Sequence, residues 1–210
     1  MINGKLIKVC GMREPKNIRE VETLGIDLMG FIFFKGSPRY VQHIPAFLPS
    51  CQRTGVFVDE DINVIKKNIK AFNLDFIQLH GNESPEFCHL LQDSGIKIIK
   101  AFSIAEVDDL KNTEAYENYC PYFLFDTKCK QYGGSGYQFN WHILDAYHGR
   151  TPFLLSGGIG PKSIVSIRSF HHPLLCGYDL NSCFESAPGV KDINKIREFL
   201  NELKNIESYE

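Results

Sequence analysis

The sequence predicts an α/β protein folded as one (β/α)8 TIM barrel over residues 1–210. Three observations carry this expectation. Short apolar runs recur along the whole chain, with loops and apolar residues at helical spacing between them. None of the runs alternates cleanly between apolar and polar residues, as befits parallel strands buried on both faces. Eight strand units within 210 residues match a barrel near its minimum size. A doubly wound open sheet is the competing arrangement. It needs fewer strands, and its mark is GxGxxG after the first one; Gly11 after Cys10 has no such company.

The expected strands are residues 6–10, 28–33, 55–58, 76–79, 97–101, 122–125, 153–155 and 175–180. After the first, Ile18, Val21 and Leu24 repeat at three-residue steps. After the second, Pro45 and Pro49 crowd the segment, so any helix there is short. Asp61 is placed to cap a helix carrying Ile62, Ile65 and Ile69. Ser84-Pro85-Glu86 reads as a cap followed by Pro at the first helical position. Trp141, Leu144 and Tyr147 mark a sixth helix, and Pro161 opens a seventh. Asp192 caps the last, with Ile193, Ile196, Phe199 and Leu200 on one face. Residues 207–210 form an acidic-leaning end that is expected to fray.

Composition narrows the function. With 43% hydrophobic and 23% charged residues, the chain reads as an ordinary globular protein. A net charge of −2, from 23 basic and 25 acidic side chains, shows no basic excess and no basic stripe, which argues against nucleic acid as a partner and for small molecules. The segment before Cys10 is too short and too polar for a signal peptide, and the densest apolar run, 31–34, falls far below membrane-spanning length. Seven scattered cysteines, an odd number without CxxC spacing, suggest reduced thiols and a cytoplasmic setting. The sequon Asn82-Glu83-Ser84 is discounted on that ground. No set of His, Asp and Glu has metal-ligand spacing, so neither metal nor cofactor is expected. Monomer and homodimer stay equally open.

In a TIM barrel the active site lies at the C-terminal ends of the strands, which asks which reactive residues end a strand. The first strand ends at Cys10 and the sixth at Asp126, so a thiol and a carboxylate face each other across the mouth and can act as base and acid. Electrostatics at the mouth are expected to lower the thiol pKa. Alone, Cys10 also fits a small buried hydrophobe and Asp126 a turn cap. The seventh strand ends in Ser156-Gly157-Gly158 and the eighth in Asp179-Leu180-Asn181-Ser182. Loops at these two ends commonly bind phosphate, although glycine explains ordinary tight turns equally well. Arg39 can clamp a substrate carboxylate or sit solvated on the surface. His80, ending the fourth strand, can touch substrate or cap a turn. The glycine-rich residues 128–136 beside Asp126 read as a lid or a plain surface loop.

The order of these blocks resembles the phosphoribosylanthranilate isomerase family. Lys8-Val9-Cys10-Gly11-Met12 is similar to its opening KxCG motif, and Ser37-Pro38-Arg39-Tyr40 belongs to a second block. Gln78-Leu79-His80-Gly81, Asp126-Thr127-Lys128 with Gly133-Gly134-Ser135-Gly136, and Leu155-Ser156-Gly157-Gly158-Ile159 follow in turn. Glu185 with Pro188-Gly189-Val190-Lys191-Asp192 resembles the closing block, so the likeness runs from residue 8 to residue 192. The resemblance implies an Amadori rearrangement of N-(5-phosphoribosyl)anthranilate in tryptophan biosynthesis. It implies Asp126 as general acid, Cys10 as general base, Arg39 on the anthranilate carboxylate, and Gly157, Gly158, Asn181 and Ser182 at the phosphate. It implies no cofactor, because the iminium intermediate is itself the electron sink. One departure stands out: many members carry Ser-Ser-Gly after the eighth-strand Asp, where this chain has Asn181-Ser182-Cys183. Two rival readings are kept. Another phosphosugar isomerase or epimerase would share the phosphate loops but show other strand-end residues, such as paired aspartates where this chain has Cys10 and Ala101. A silent ligand-binding barrel would have lost Cys10 or Asp126.

Overall fold

The structure, a computed structural model, describes residues 1–127 and 140–206. The proposed lid, 128–136, and the end 207–210 lie outside the described residues. Eight strands close a barrel in sequence order: β1 (Leu6–Val9), β2 (Leu28–Ile32), β3 (Gln52–Phe57), β4 (Phe76–Leu79), β5 (Ile98–Ile104), β6 (Tyr122–Thr127), β7 (Phe153–Leu155) and β8 (Leu175–Leu180). Every pair is parallel, and β1 closes onto β8 with Lys8 opposite Asp179. All eight C-terminal ends therefore meet at one rim.

The helices follow their caps. In α1 (Pro15–Glu22), Pro15 takes the first helical position and Ile18 and Val21 are buried. Asp61 accepts from the Asn63 N–H to start α2 (Ile62–Phe72), and Ser84 accepts from the Phe87 N–H to start α3 (Pro85–Asp93). Asp192 accepts from the Asn194 and Lys195 N–H groups at the start of α5 (Ile193–Lys204). The other helical expectations shrink. Between β2 and β3 no helix forms; two prolines lack N–H donors there, and the Val41 N–H bonds instead to the Ile32 carbonyl at 2.9 Å. The sixth helix is a 3-10 turn, Trp141–Ala146, and the seventh is a 3-10 turn leading into α4 (Ile164–Ser169). After β8 comes an unexpected hairpin, β9 (Glu185–Ala187) and β10 (Val190–Lys191), turned at Gly189.

Strand residues divide by face, because side chains alternate across a strand. Ile7, Val9, Ile77, Leu79, Phe123, Phe125, Phe153 and Leu155 join the outer core with helix residues such as Ile18, Ile65 and Leu91. Leu28, Phe76, Ile99, Ala101, Leu124 and Leu154 fill the inside. Two residues further along several strands, the same inner face turns polar: Lys8, Gln78, Asp126 and Ser156. The barrel is thus plugged with hydrocarbon below and presents chemistry at its mouth. No helix among the described residues is long and apolar enough to cross a membrane.

Candidate active site

Cys10 follows β1, held by its N–H bond to the Leu180 carbonyl at 2.9 Å. It is buried against Ile32 and Val56, so the residue does pack as a small hydrophobe. Burial pushes the thiol pKa above its usual value. The expectation of a lowered pKa fails on this point, although Lys8 and Lys191 pull in the lowering direction. Lys8 lies two residues earlier on the same inner face and is fully buried, with its Nζ 2.8 Å from Asp179 Oδ1. Burial disfavours the Lys8 ammonium, but Asp179 and Cys10 overcome this and its pKa is raised. Ser156 Oγ donates to the other Asp179 oxygen at 3.4 Å, tying β7 to β8.

Arg39 is no solvated surface residue; it is buried and forms a bidentate pair with Glu185 on β9, Nε to Oε1 at 2.9 Å and Nη2 to Oε2 at 2.7 Å. Its Nη1 makes no hydrogen bond among the described residues. Lys191 Nζ bonds both Glu185 and the Asn181 Oδ1, the latter at 2.8 Å. Burial would raise the Glu185 pKa, but Arg39 and Lys191 bring it below the usual carboxylate value. Asn17 on α1 pins the Lys191 backbone on both sides, accepting from its N–H at 2.7 Å and donating to its carbonyl at 2.8 Å. Gly11 allows this packing. Its φ is +77°, and a Cβ there would sit 2.7 Å from Arg39 Cδ. Lys8, Arg39 and Lys191 face Asp179 and Glu185, so this buried group holds one positive charge more than its carboxylates cancel.

Across the mouth, Asp126 lies near the end of β6, opposite Ser103 of β5 rather than Ala101, because β5 runs on to Ile104. Its Oδ1 accepts the Thr127 N–H at 2.8 Å, and its Oδ2 lies 3.4 Å from His80 Nε2. Asp126 and His80 are each 15% exposed, dry enough for charge to matter and open enough to meet a ligand. Gly157 packs onto this carboxylate with φ +78°. A Cβ there would lie 3.1 Å from Asp126 Oδ1 and would collide with Thr127. Gly158 also has positive φ, and neither glycine N–H has an acceptor among the described residues. Ser182 opens the turn after β8, beside Asn181. The structure therefore gathers Cys10, Arg39 and Asn181 on one side of the rim, and His80, Asp126 and Gly157 on the other. Sequence reasoning assigned no role to Gln78, Lys8, Glu185 or Lys191; all four stand in the quoted motifs, and only the barrel brings Glu185 and Lys191 to Arg39.

A closed (β/α)8 barrel with a thiol and a carboxylate at its mouth, and left-handed glycines at the end of β7, is the architecture of a small TIM-barrel enzyme with an acid–base pair at its strand ends. The comparisons refine that class. Residues 7–202 match the family described as N-(5'-phosphoribosyl)anthranilate (PRA) isomerase, and the chain belongs to that family. It is 54% identical over 200 residues to the N-(5'-phosphoribosyl)anthranilate isomerase of Phocaeicola vulgatus, covering 95% of this chain and 98% of that one. It superposes on the crystal structure of phosphoribosyl anthranilate isomerase from Thermotoga maritima with TM-score 0.81 at 29% identity, over 96% of this chain and 99% of the other. A family structure in complex with reduced 1-(o-carboxyphenylamino)-1-deoxyribulose 5-phosphate matches with TM-score 0.77 at 27% identity, over 96% and 99%.

Proposed function

We propose that this chain performs its family's Amadori rearrangement of N-(5-phosphoribosyl)anthranilate with Cys10 as general base and Asp126 as general acid. The observation that carries the assignment is the pairing of a buried thiol after β1 with a half-buried carboxylate on β6, at one rim of the barrel. Asp126 protonates the ribose ring oxygen and the ring opens to an iminium. Cys10 takes the proton from C2′, and the iminium accepts the electron pair. The resulting enolamine gains a proton at C1′ while its 2′-hydroxyl gives one up to become the ketone, so the two protons added and the two removed cancel and no atom is gained or lost.

The surroundings of Cys10 suit this order. Burial holds the proton on sulfur, while Lys8 and Lys191 favour the thiolate. The iminium brings a further positive charge next to the base at the step that needs it. Glu185 takes one edge of the Arg39 guanidinium and leaves Nη1 for the anthranilate carboxylate. Phosphate lies against the Gly157 and Gly158 N–H groups and the Asn181–Ser182 turn. Lys191 occupies the Asn181 Oδ1, so the amide donors of Asn181 are the part turned to the anion. The family structure in complex with reduced 1-(o-carboxyphenylamino)-1-deoxyribulose 5-phosphate supports a phosphosugar–anthranilate ligand for this chain.

The test is loss of anthranilate-type fluorescence from freshly made phosphoribosylanthranilate, with a chelator present. Turnover lowered by about 10²–10⁴-fold in Cys10→Ala and in Asp126→Asn is the expected result. A folded wild-type protein without turnover overturns the assignment.

A further inference from the structure

We propose that Gln78 is a positioning residue that holds His80 in its neutral Nε2–H form, and thereby lets Asp126 carry the proton it delivers. The proposal rests on the reading of Asp126 as the acid. Gln78 and His80 stand two residues apart on the inner face at the end of β4. Gln78 is 1% exposed, and its Nε2 lies 2.7 Å from His80 Nδ1. His80 Nε2 lies 3.4 Å from Asp126 Oδ2.

For the carboxylate that Asp126 becomes once it has given its proton, each contact in this chain has one workable polarity. An ionised carboxylate accepts and cannot donate, so the His80 nitrogen facing it carries the hydrogen. A neutral imidazole then has a bare Nδ1, which needs a donor. The amide N–H2 of Gln78 is that donor. Rotating the Gln78 amide would let Oε1 accept from Nδ1–H, but it would strip His80 of its N–H toward Asp126. The Gln78 Oε1 is buried without a hydrogen-bond partner among the described residues, a cost the native orientation bears while keeping the relay intact. The nearby Lys100 and Glu83 point into the outer core and bond each other at 2.9 Å, so they do not supply His80 with another partner.

The chemical consequence lies in what the arrangement excludes. A doubly protonated His80 would turn Nδ1–H against the N–H2 of Gln78, donor to donor. It would also form an ion pair with Asp126 and hold that carboxyl ionised, with no proton to give. A neutral Nε2–H instead steadies the carboxylate left after proton transfer without fixing it beforehand. Gln78 acts on the substrate only through His80 and Asp126.

The experiment uses the intact protein labelled with 15N-histidine, with the His80 signals assigned by their absence in His80→Ala. Wild type should show protonated Nε2 and bare Nδ1. Gln78→Met, similar in length but without a donor, should mix the tautomers and lower kcat about tenfold with KM little changed. Gln78→Glu, an acceptor of the same shape, should place the hydrogen on Nδ1. In a His80→Ala background, Gln78→Met should leave kcat unchanged, because the effect passes through the imidazole. An Nδ1–H tautomer in wild type, an unaltered tautomer and kcat in Gln78→Met, or an equal kcat loss without His80 would each overturn the proposal. Absence of turnover in wild type would instead strike the acid assignment, and the resting-state spectrum would still report the tautomer.

Discussion

Replacing Lys8 by Met removes a charge that two neighbours depend on. The Lys8 ammonium is fully buried and lies 2.8 Å from Asp179, itself 6% exposed. Deleting one partner of a buried pair leaves the other charge uncompensated and costs about 3–5 kcal/mol. At about 2–4 °C per kcal/mol for a chain of this size, the melting temperature should fall by roughly 6–20 °C. Lys8→Met/Asp179→Leu should recover most of that loss, because replacing both charges by packed hydrocarbon is near neutral. Catalysis should recover only in part, because losing Asp179 removes a charge that raises the Cys10 pKa while the stronger lowering pull of Lys8 stays lost. Burial raises the Cys10 pKa and Lys8 opposes the rise, so without Lys8 the thiol holds its proton to still higher pH. The acid limb of kcat/KM, which follows deprotonation of the base, should move to higher pH, and activity at neutral pH should drop. Calorimetry and a pH series of the fluorescence assay measure the two effects separately. An unmoved acid limb in a folded Lys8→Met, or full activity in the double variant, would refute the reasoning.

Four further outcomes are expected. Cys10→Ala and Asp126→Asn should each lower kcat by about 10²–10⁴-fold with KM less affected; near-normal turnover in either would remove that residue from its role. Arg39→Ala should raise KM first, and a collapsed kcat at constant KM in steady-state kinetics would exclude the carboxylate clamp. Glu185 has a folded pKa below its unfolded one, because Arg39 and Lys191 outweigh burial. Its stabilisation is therefore present above the ordinary glutamate range and is lost as pH falls through the lower folded value. Glu185→Gln should flatten the acid side of a stability profile measured by urea unfolding, and parallel profiles would contradict the assignment. Gly157→Ala should cost about 1–3 kcal/mol and displace Asp126, since it puts a Cβ at φ +78° against Thr127 and 3.1 Å from the carboxylate. Thermal unfolding together with kcat tests this, and wild-type values of both would show that the contact is slack.

The barrel was legible in the sequence because its strands are near-continuous apolar runs, and such runs are what a two-faced parallel sheet requires. The caps at Asp61, Ser84 and Asp192 were legible too, because a side-chain oxygen reaching an N–H two or three residues on is a local event. Helices with weaker local support shortened to one or two turns, at Trp141–Ala146 for example, where packing and not periodicity sets the length. The strand-end rule picked out Cys10, Asp126 and His80 as residues of the mouth. What it missed was which face each residue takes. Leu6, Lys8 and Cys10 share the inner face of β1 and its end, and Gln78 and His80 that of β4, but an apolar outer face hides the period of two in a continuous run. The polarity of Arg39 was equally hidden, because Glu185 is 146 residues away and lies on a hairpin with no strong signal of its own. Local hydrogen bonding and residue type write themselves into sequence. Charge balance around a buried thiol and the tautomer of an imidazole depend on which distant strands become neighbours, and barrel closure alone decides that.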